Sequence, residues 1–498
     1  MTVALEGLGM LFSVEILVSI VLGLLLGIVV GAIPGLTPAT GLVLCTPLTY
    51  NMGTLPAIIL LLGIYCGGTY GGSITAILIR TPGTPAAACT VLDGYPMAEK
   101  GQARKALDAA LIASVIGGLF SAIVLLMLAP QLAKLTIKFS PVEYFMIAVF
   151  GLSVIVSVSG DSLIKGFLAT GLGLFISSVG TDAQSATIRY TFGIVRLRTG
   201  IQIAVILVGL FGLSELLIKG ESRQSDTKHD KFAVGGKNTG ATWKDILKYP
   251  RTLLMSSLIG VGVGALPGTG AALSAFLAYN SAKKRSSHPE TFGKGELEGI
   301  VAAESANNGV TGATLIPTLT LGIPGDGCTA ILLGALTLHG LVPGPQLFQT
   351  QGKMIYAMMF SLIIINVVMF LQGKFLLRFF AKVSDIPYPI LGGLVAFFCF
   401  VGSYAASNSY LDIYICIIFG VVGYLFHKWD FPAISLMLGL VLGDLFEQNL
   451  RRSIIMAKGD YTIFFTRPIS LVFFLLTVFS IGRSLHKSYK ANKAIFNN

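Results

Sequence analysis

The chain has 498 residues, 54% of them hydrophobic and 12% charged, with a mean hydropathy of +0.79. Soluble domains carry roughly 25% charged residues, so disorder and an ordinary soluble core are both excluded and the chain belongs to the membrane class. The net charge of +11 falls in loops between apolar runs and in the C-terminal tail; this is the positive-inside bias of a membrane protein and gives no reason to expect a nucleic-acid partner.

Residues 1–10 lack the basic cluster and cleavage site of a secretory signal, so the first apolar run, 11–33, is expected to remain as a span. Gly23, Gly27, Gly31 and Gly35 recur there at every fourth position, a stripe that permits close helix contact. The helix should end at Pro34-Gly35, with irregular backbone through Leu36 to Gly41. Two shorter apolar pieces, 57–66 and 73–79, are predicted to form a re-entrant hairpin that runs from Gly71-Gly72-Ser73 into Arg80-Thr81-Pro82-Gly83-Thr84-Pro85. Spans follow at 107–129, 142–158, 163–179 and 201–218, and the polar stretch 220–251 reads as a cytoplasmic linker.

Beyond the linker the opening text returns, since Gly-Ala-Leu-Pro-Gly at 264–268 echoes Gly-Ala-Ile-Pro-Gly at 31–35. Residues 304–327 then give a second discontinuous segment, too apolar for a surface loop and too broken for a plain membrane helix, with its break at Ile323-Pro324-Gly325-Asp326-Gly327. Further spans are predicted at 355–380, 390–404, 413–426, 433–445 and 469–481. The chain therefore divides into a first membrane repeat (1–219), a cytoplasmic linker (220–251), a second membrane repeat (252–447) and a final transmembrane helix with a basic cytoplasmic tail (448–498). About five crossings plus a hairpin in each half is an odd number, which inverts the second copy and, with linker and tail inside, puts the N-terminus outside. The expected fold is an all-α polytopic membrane protein of two inverted-topology repeats, each with a glycine-striped helix and a broken re-entrant hairpin.

Helix breaks at membrane depth are candidate binding sites, because unpaired N–H groups there carry partial positive charge and freed carbonyls and hydroxyls can hold a cation. The candidate substrate-binding residues are Pro34, Gly35, Thr37, Gly72, Ser73, Thr75, Arg80, Thr81, Pro82, Gly83 and Thr84 in the first half. In the second they are Pro267, Gly268, Thr269, Asn307, Asn308, Pro324 and Gly325. Asn307, Asn308 and Asp326 are the candidate ligands of a coupling cation, Na⁺ or a proton, since a hard cation prefers oxygen. Each assignment has a plainer rival: a hydroxyl can bond its own helix, Arg80 can snorkel to the surface, and Asp326 can cap the next helix. Glu304 is a further costly charge at depth.

Other chemistries fail on residues. Gly325-Asp326 lacks the G-x-G-D of an intramembrane aspartyl protease, and the glycine turns lack the G-K-[ST] of a nucleotide-binding loop. The five histidines are isolated, and the six cysteines are scattered without C-x-x-C spacing, so neither a metal nor a redox centre is expected.

The Pro34-Gly35-Leu36-Thr37-Pro38 turn, the 71–85 run, Pro267-Gly268-Thr269-Gly270 and the block from Glu304-Ser305-Ala306-Asn307-Asn308 to Gly322-Ile323-Pro324-Gly325-Asp326 together resemble the large membrane subunit of bacterial tripartite tricarboxylate transporters. The resemblance covers almost the full chain. It implies a multi-pass protein of the bacterial inner membrane, not an enzyme. A periplasmic solute-binding protein delivers it a small carboxylate, citrate or a related di- or monocarboxylate; a small membrane subunit accompanies it, and an ion gradient drives uptake. An anion channel or a non-transporting scaffold are the alternatives; a channel should show a continuous polar stripe, whereas polar residues here collect at two breaks.

Overall fold

The computed structural model describes residues 2–33, 36–136, 138–158, 163–182, 184–221, 240–267, 270–344, 346–377, 379–380 and 388–496. Among them the strands are β1 (Gly180–Thr181) and β2 (Ile188–Arg189), one small antiparallel hairpin, and nearly all the rest is helix. Seven helices are long and apolar enough to cross a membrane, and five shorter apolar helices accompany them. The chain is an all-α polytopic membrane protein, and Val18, Leu22, Leu168 and Phe175 are among the large apolar side chains that its helices turn outward, where only lipid is a favourable neighbour.

The first half contains α1 (Thr2–Met10), α2 (Val14–Gly31), α3 (Pro38–Cys45), α4 (Thr54–Ile79), α5 (Ala87–Glu99), α6 (Ala103–Thr136), α7 (Pro141–Val158), α8 (Leu163–Ser177) and α9 (Ile203–Glu221), which widens to a π turn at Val208–Leu213. The hairpin expected across 57–66 and 73–79 is instead one unbroken helix, α4, buried from Leu55 to Leu78. Gly67, Gly68, Gly71 and Gly72 look like breakers. At membrane depth, however, a break would strand N–H and C=O groups away from water, so the glycines stay helical and serve packing. Gly23, Gly27 and Gly31 of α2 meet Leu60, Ile64 and Gly68 of α4, so the two helices run parallel; a Cβ on Gly27 would lie 2.6 Å from the Ile64 carbonyl. The backbone expected to be irregular to Gly41 is helical from Pro38, because Thr37 caps it and proline suits a first helical turn; the fold-back falls between α2 and α3, since Pro38 packs beside Gly68 and Gly41 touches Val30 and Ile64, so α3 runs opposite to both neighbours.

The second half repeats this plan with α10 (Pro250–Gly264), α11 (Gly270–Arg285), α12 (Leu297–Ala313), α13 (Leu315–Leu321) and α14 (Gly327–Leu338). The break expected at 323–327 lies between the end of α13 at Leu321 and the start of α14 at Gly327, and the segment before it also bends at Thr314, where Pro317 offers no N–H to the Ala313 carbonyl. Gly260 and Gly264 of α10 meet Ala306 and Val310 of α12, again parallel. The loop after each long helix begins with a left-handed residue, Arg80 (φ 57°) in one half and Gly322 (φ 70°) in the other, then dips back. Gly83 N–H bonds the Gly72 carbonyl at 3.2 Å, and Gly325 sits against Thr314. The corresponding helices α4 and α12 run antiparallel, because Tyr65 meets Thr314 while Ser73 meets Glu304.

The remaining helices are α15 (Gly352–Phe375), α16 (Tyr388–Ser407), α17 (Tyr410–Lys428), α18 (Ala433–Met456) and α19 (Pro468–Phe496). Two seams of small residues clasp the halves together. Gly173 of α8 packs on Gly439 of α18, and Gly209 of α9 packs on Cys416 and Gly420 of α17. The predicted spans of both halves coincide with helices. Of the linker 220–251, residues 222–239 lie outside the described residues; the second half begins inside its expected bounds, at Pro250.

Candidate functional site: a cavity at four helix starts

The starts of α3, α5, α11 and α14 open on one cavity of about 370 Å³. Thr37, Pro38 and Ala39 line it from the first of these, Thr84, Pro85 and Ala86 from the second, Gly270 to Ala272 from the third, and Asp326, Gly327 and Cys328 from the fourth. Tyr65 and Thr69 of α4 and Asn307 and Thr311 of α12 form the wall between them, and Phe211, Glu215 and Ile434 close it from α9 and α18. No Lys or Arg is among the lining residues. The convergence follows from the shared plan, since each half contributes two helices that begin at the cavity.

Three of the four starts, those of α3, α5 and α14, hold a backbone N–H through a side-chain oxygen. Thr37 Oγ1 accepts the Thr40 N–H at 3.2 Å, and Thr84 Oγ1 accepts the Ala87 N–H at 3.1 Å. Asp326 accepts from Thr329 N–H at 2.7 Å and Thr329 hydroxyl at 2.8 Å through Oδ1, while Oδ2 accepts from the Tyr65 hydroxyl at 2.7 Å. Asp326 is thus a helix cap that also faces the cavity. Asn307 is 1% exposed and lies beside the Glu304 carboxyl group, yet neither amide atom makes a hydrogen bond of ordinary geometry with a described residue.

The remaining candidates divide cleanly. Gly72, Ser73 and Thr75 are buried behind the wall: Thr75 Oγ1 donates to the Gly72 carbonyl, and Ser73 donates to Glu304 at 2.6 Å. Gly83, Pro324 and Gly325 build the dips, Pro82 is half-buried beside them, and Thr81 donates to the Ile79 carbonyl. Arg80 is exposed, its guanidinium 5.6 Å over the Tyr95 ring and outside the lining. Asn308 turns away to the Glu304 backbone and carboxyl. Pro267 is buried; Pro34, Gly35, Gly268 and Thr269 lie outside the described residues. Tyr65, Phe211, Glu215 and Ile434 were not legible as site residues, because each sits in an apolar run with no local signal and reaches the cavity only through tertiary packing.

Helix breaks gathered around one cavity of a polytopic membrane protein are an arrangement found at the substrate sites of membrane transporters. Residues 17–438 match the tripartite tricarboxylate transporter TctA family, and the chain belongs to that family. It is 36% identical over 436 residues to an uncharacterized 52.8 kDa protein of the TAR-I ttuC′ 3′ region in Agrobacterium vitis, covering 87% of this chain and 86% of that one. A second Agrobacterium vitis protein, from the TAR-II ttuC′ 3′ region, is 36% identical over 208 residues, 42% of this chain and 86% of its own length. No solved structure matches the chain.

Proposed function

We propose that the protein moves a small organic carboxylate, a tricarboxylate such as citrate or a related di- or monocarboxylate, inward across the bacterial inner membrane in symport with Na⁺ or a proton. A periplasmic binding protein delivers the anion and a small membrane subunit completes the assembly, as the family's tripartite name suggests. One observation carries the reading: four helix N-termini, two from each half, meet at a cavity with no basic side chain among its described lining residues. Each N-terminus supplies about half a positive charge, about two in all. The carboxylates of Asp326 and Glu215 oppose that, although Glu215 is paired with Lys219 at 3.3 Å. A bound anion is therefore held by backbone N–H groups and hydroxyls while a coupling cation balances its charge, with Asp326 and Asn307 the oxygen donors at the wall and Asn308 behind them.

The test is uptake into proteoliposomes holding the full chain, its small subunit and its binding protein, with radiolabelled citrate, succinate and acetate. At least one should accumulate against its gradient when a Na⁺ or proton gradient is imposed. Uptake that only equilibrates, indifferent to either gradient, would leave a channel and remove the symporter.

A further inference from the structure

The charges around the cavity set a limit on what it can hold. Four helix N-termini bring about two positive charges to it. Asp326 returns one negative charge, and Glu215 is offset by Lys219 at 3.3 Å. No Lys or Arg is among the described lining residues, and the neighbouring turn residues outside them, Pro34, Gly35, Gly268 and Thr269, are not basic either. Even with one coupling cation bound, the total is about two positive charges, short of the three negative ones of a tricarboxylate.

Donors and shape decide between one carboxylate and two. The polar side chains of the wall are already committed: Thr37 and Thr84 cap α3 and α5, Thr69 and Thr311 donate to the Tyr65 and Asn308 carbonyls, and Tyr65 donates to Asp326. Among the described lining residues, Asn307 alone has buried side-chain polar atoms with no partner of ordinary geometry, and it is 1% exposed. Its NH₂ group is a donor for one carboxylate, while its oxygen stays available to a cation. Much of the remaining lining is apolar, with Pro85 and Ala86 on one side and Phe211 and Ile434 on the other. Ile434 is 42% exposed, and its side chain ends 4.0 Å from where a Cβ on Gly327 would stand, so an uncovered apolar group overhangs the start of α14. A second carboxylate set against these surfaces would lose its water and gain no side-chain donor. At about 370 Å³ the cavity lies within the range of about 300–1,000 Å³ in which small-molecule sites enclose a ligand, and acetate would leave its apolar side empty.

We infer that the ligand is a monocarboxylate with an apolar body, its one carboxylate held by Asn307 and the helix starts and its body packed against Phe211 and Ile434. This rests on the transport reading above and narrows its carboxylates to one class.

The test is equilibrium binding, by isothermal titration, to the purified full chain in detergent at mildly acidic pH with Na⁺ present, so that either coupling ion is supplied. The probes are benzoate, isovalerate, acetate, isophthalate and citrate; isophthalate adds only a second carboxylate to benzoate, and acetate lacks the body of isovalerate. Benzoate and isovalerate should bind at least about tenfold tighter than the other three, since a carboxylate left without a partner and an apolar body left unburied each cost more than that factor. Ile434→Arg sets a cation against the far end of the ligand, so isophthalate should gain affinity while benzoate loses it, a reversal that a general structural defect would not produce. Should that variant fail to fold, Glu215→Gln, which removes the carboxylate offsetting Lys219, should move the ratio of the two affinities in the same direction. Isophthalate, citrate or acetate binding the wild type as tightly as benzoate overturns the assignment and leaves carboxylate transport intact, and so does a ratio that neither substitution moves. A wild type that neither binds nor accumulates any of the five removes the transport reading and this one with it.

Discussion

Asp326 shows how one carboxylate serves local structure and the cavity together. Its Oδ1 holds the first turn of α14, and its Oδ2 takes the Tyr65 hydroxyl from the opposite half. Removing a hydrogen bond to a charged group costs about 1.5–3 kcal/mol. Tyr65→Phe is therefore expected to lower the melting temperature of the purified protein and weaken anion binding, whereas Asp326→Asn, which can still cap, should lose less stability. Equal losses in a thermal-shift assay would mean that the Tyr65 bond is not the one that matters. Outside the membrane, the Ser185 hydroxyl, the Gln184 N–H and Arg451 hold the Asp182 carboxyl well below the usual carboxylate range. A folded-state value below the unfolded one contributes stability at pH 7 that disappears as pH falls below about 4. Pepsin cleavage at the exposed Phe192 should rise there, and Arg451→Gln should shift the onset to higher pH. At this scale the sequence exposed the polar residues at the Pro-Gly turns but not their partners, since Tyr65 and Asp326 are 261 positions apart.

Helices were more readable than the turns between them. Long apolar runs such as 107–129 and 433–445 became α6 and α18, because burial and backbone pairing both favour an unbroken helix in lipid. The hairpin expected across 57–66 and 73–79 is one helix, because the glycines between two apolar pieces each too short to span stay helical and join them. Glycine spacing was the informative part, as the parallel pairs α2 with α4 and α10 with α12 show. A Cβ on Gly260 would stand 2.5 Å from the Ala306 carbonyl, whereas one on Gly262, on the other face of the same helix, meets nothing within 4 Å. Gly260→Ala should then cost about 1–3 kcal/mol by overpacking, and Gly262→Ala should be neutral or stabilising by about 0.5–1 kcal/mol. Thermal melts of the two variants in detergent give the comparison, and similar melting temperatures would refute the seam.

Across the whole molecule, α2 to α5 and α10 to α14 form one body, with α6 and α15 packed on it, and α9 and α18 present Phe211, Glu215 and Ile434 to the cavity from outside that body. We expect the first group to move as a block against α7 to α9 and α16 to α19. With the six native cysteines removed, cysteines at Gly327 and Ile434, whose side chain reaches 4.0 Å from the position of a Cβ on Gly327, should cross-link in one state only. A yield unaffected by anion or ion gradient would count against block movement.

The unequal long helices have a consequence for the state not seen. α4 passes straight through the level of Gly72, while its counterpart bends at Thr314, the residue against which the second dip is seated. We expect the two copies of one plan, set head to tail, to trade postures when the doorway turns to face the other side. That partner state should therefore straighten the chain at Thr314 and fold it at Gly72. Spin labels flanking each point would register the trade as one distance lengthening while the other shortens, and two distances that rise or fall together would exclude it.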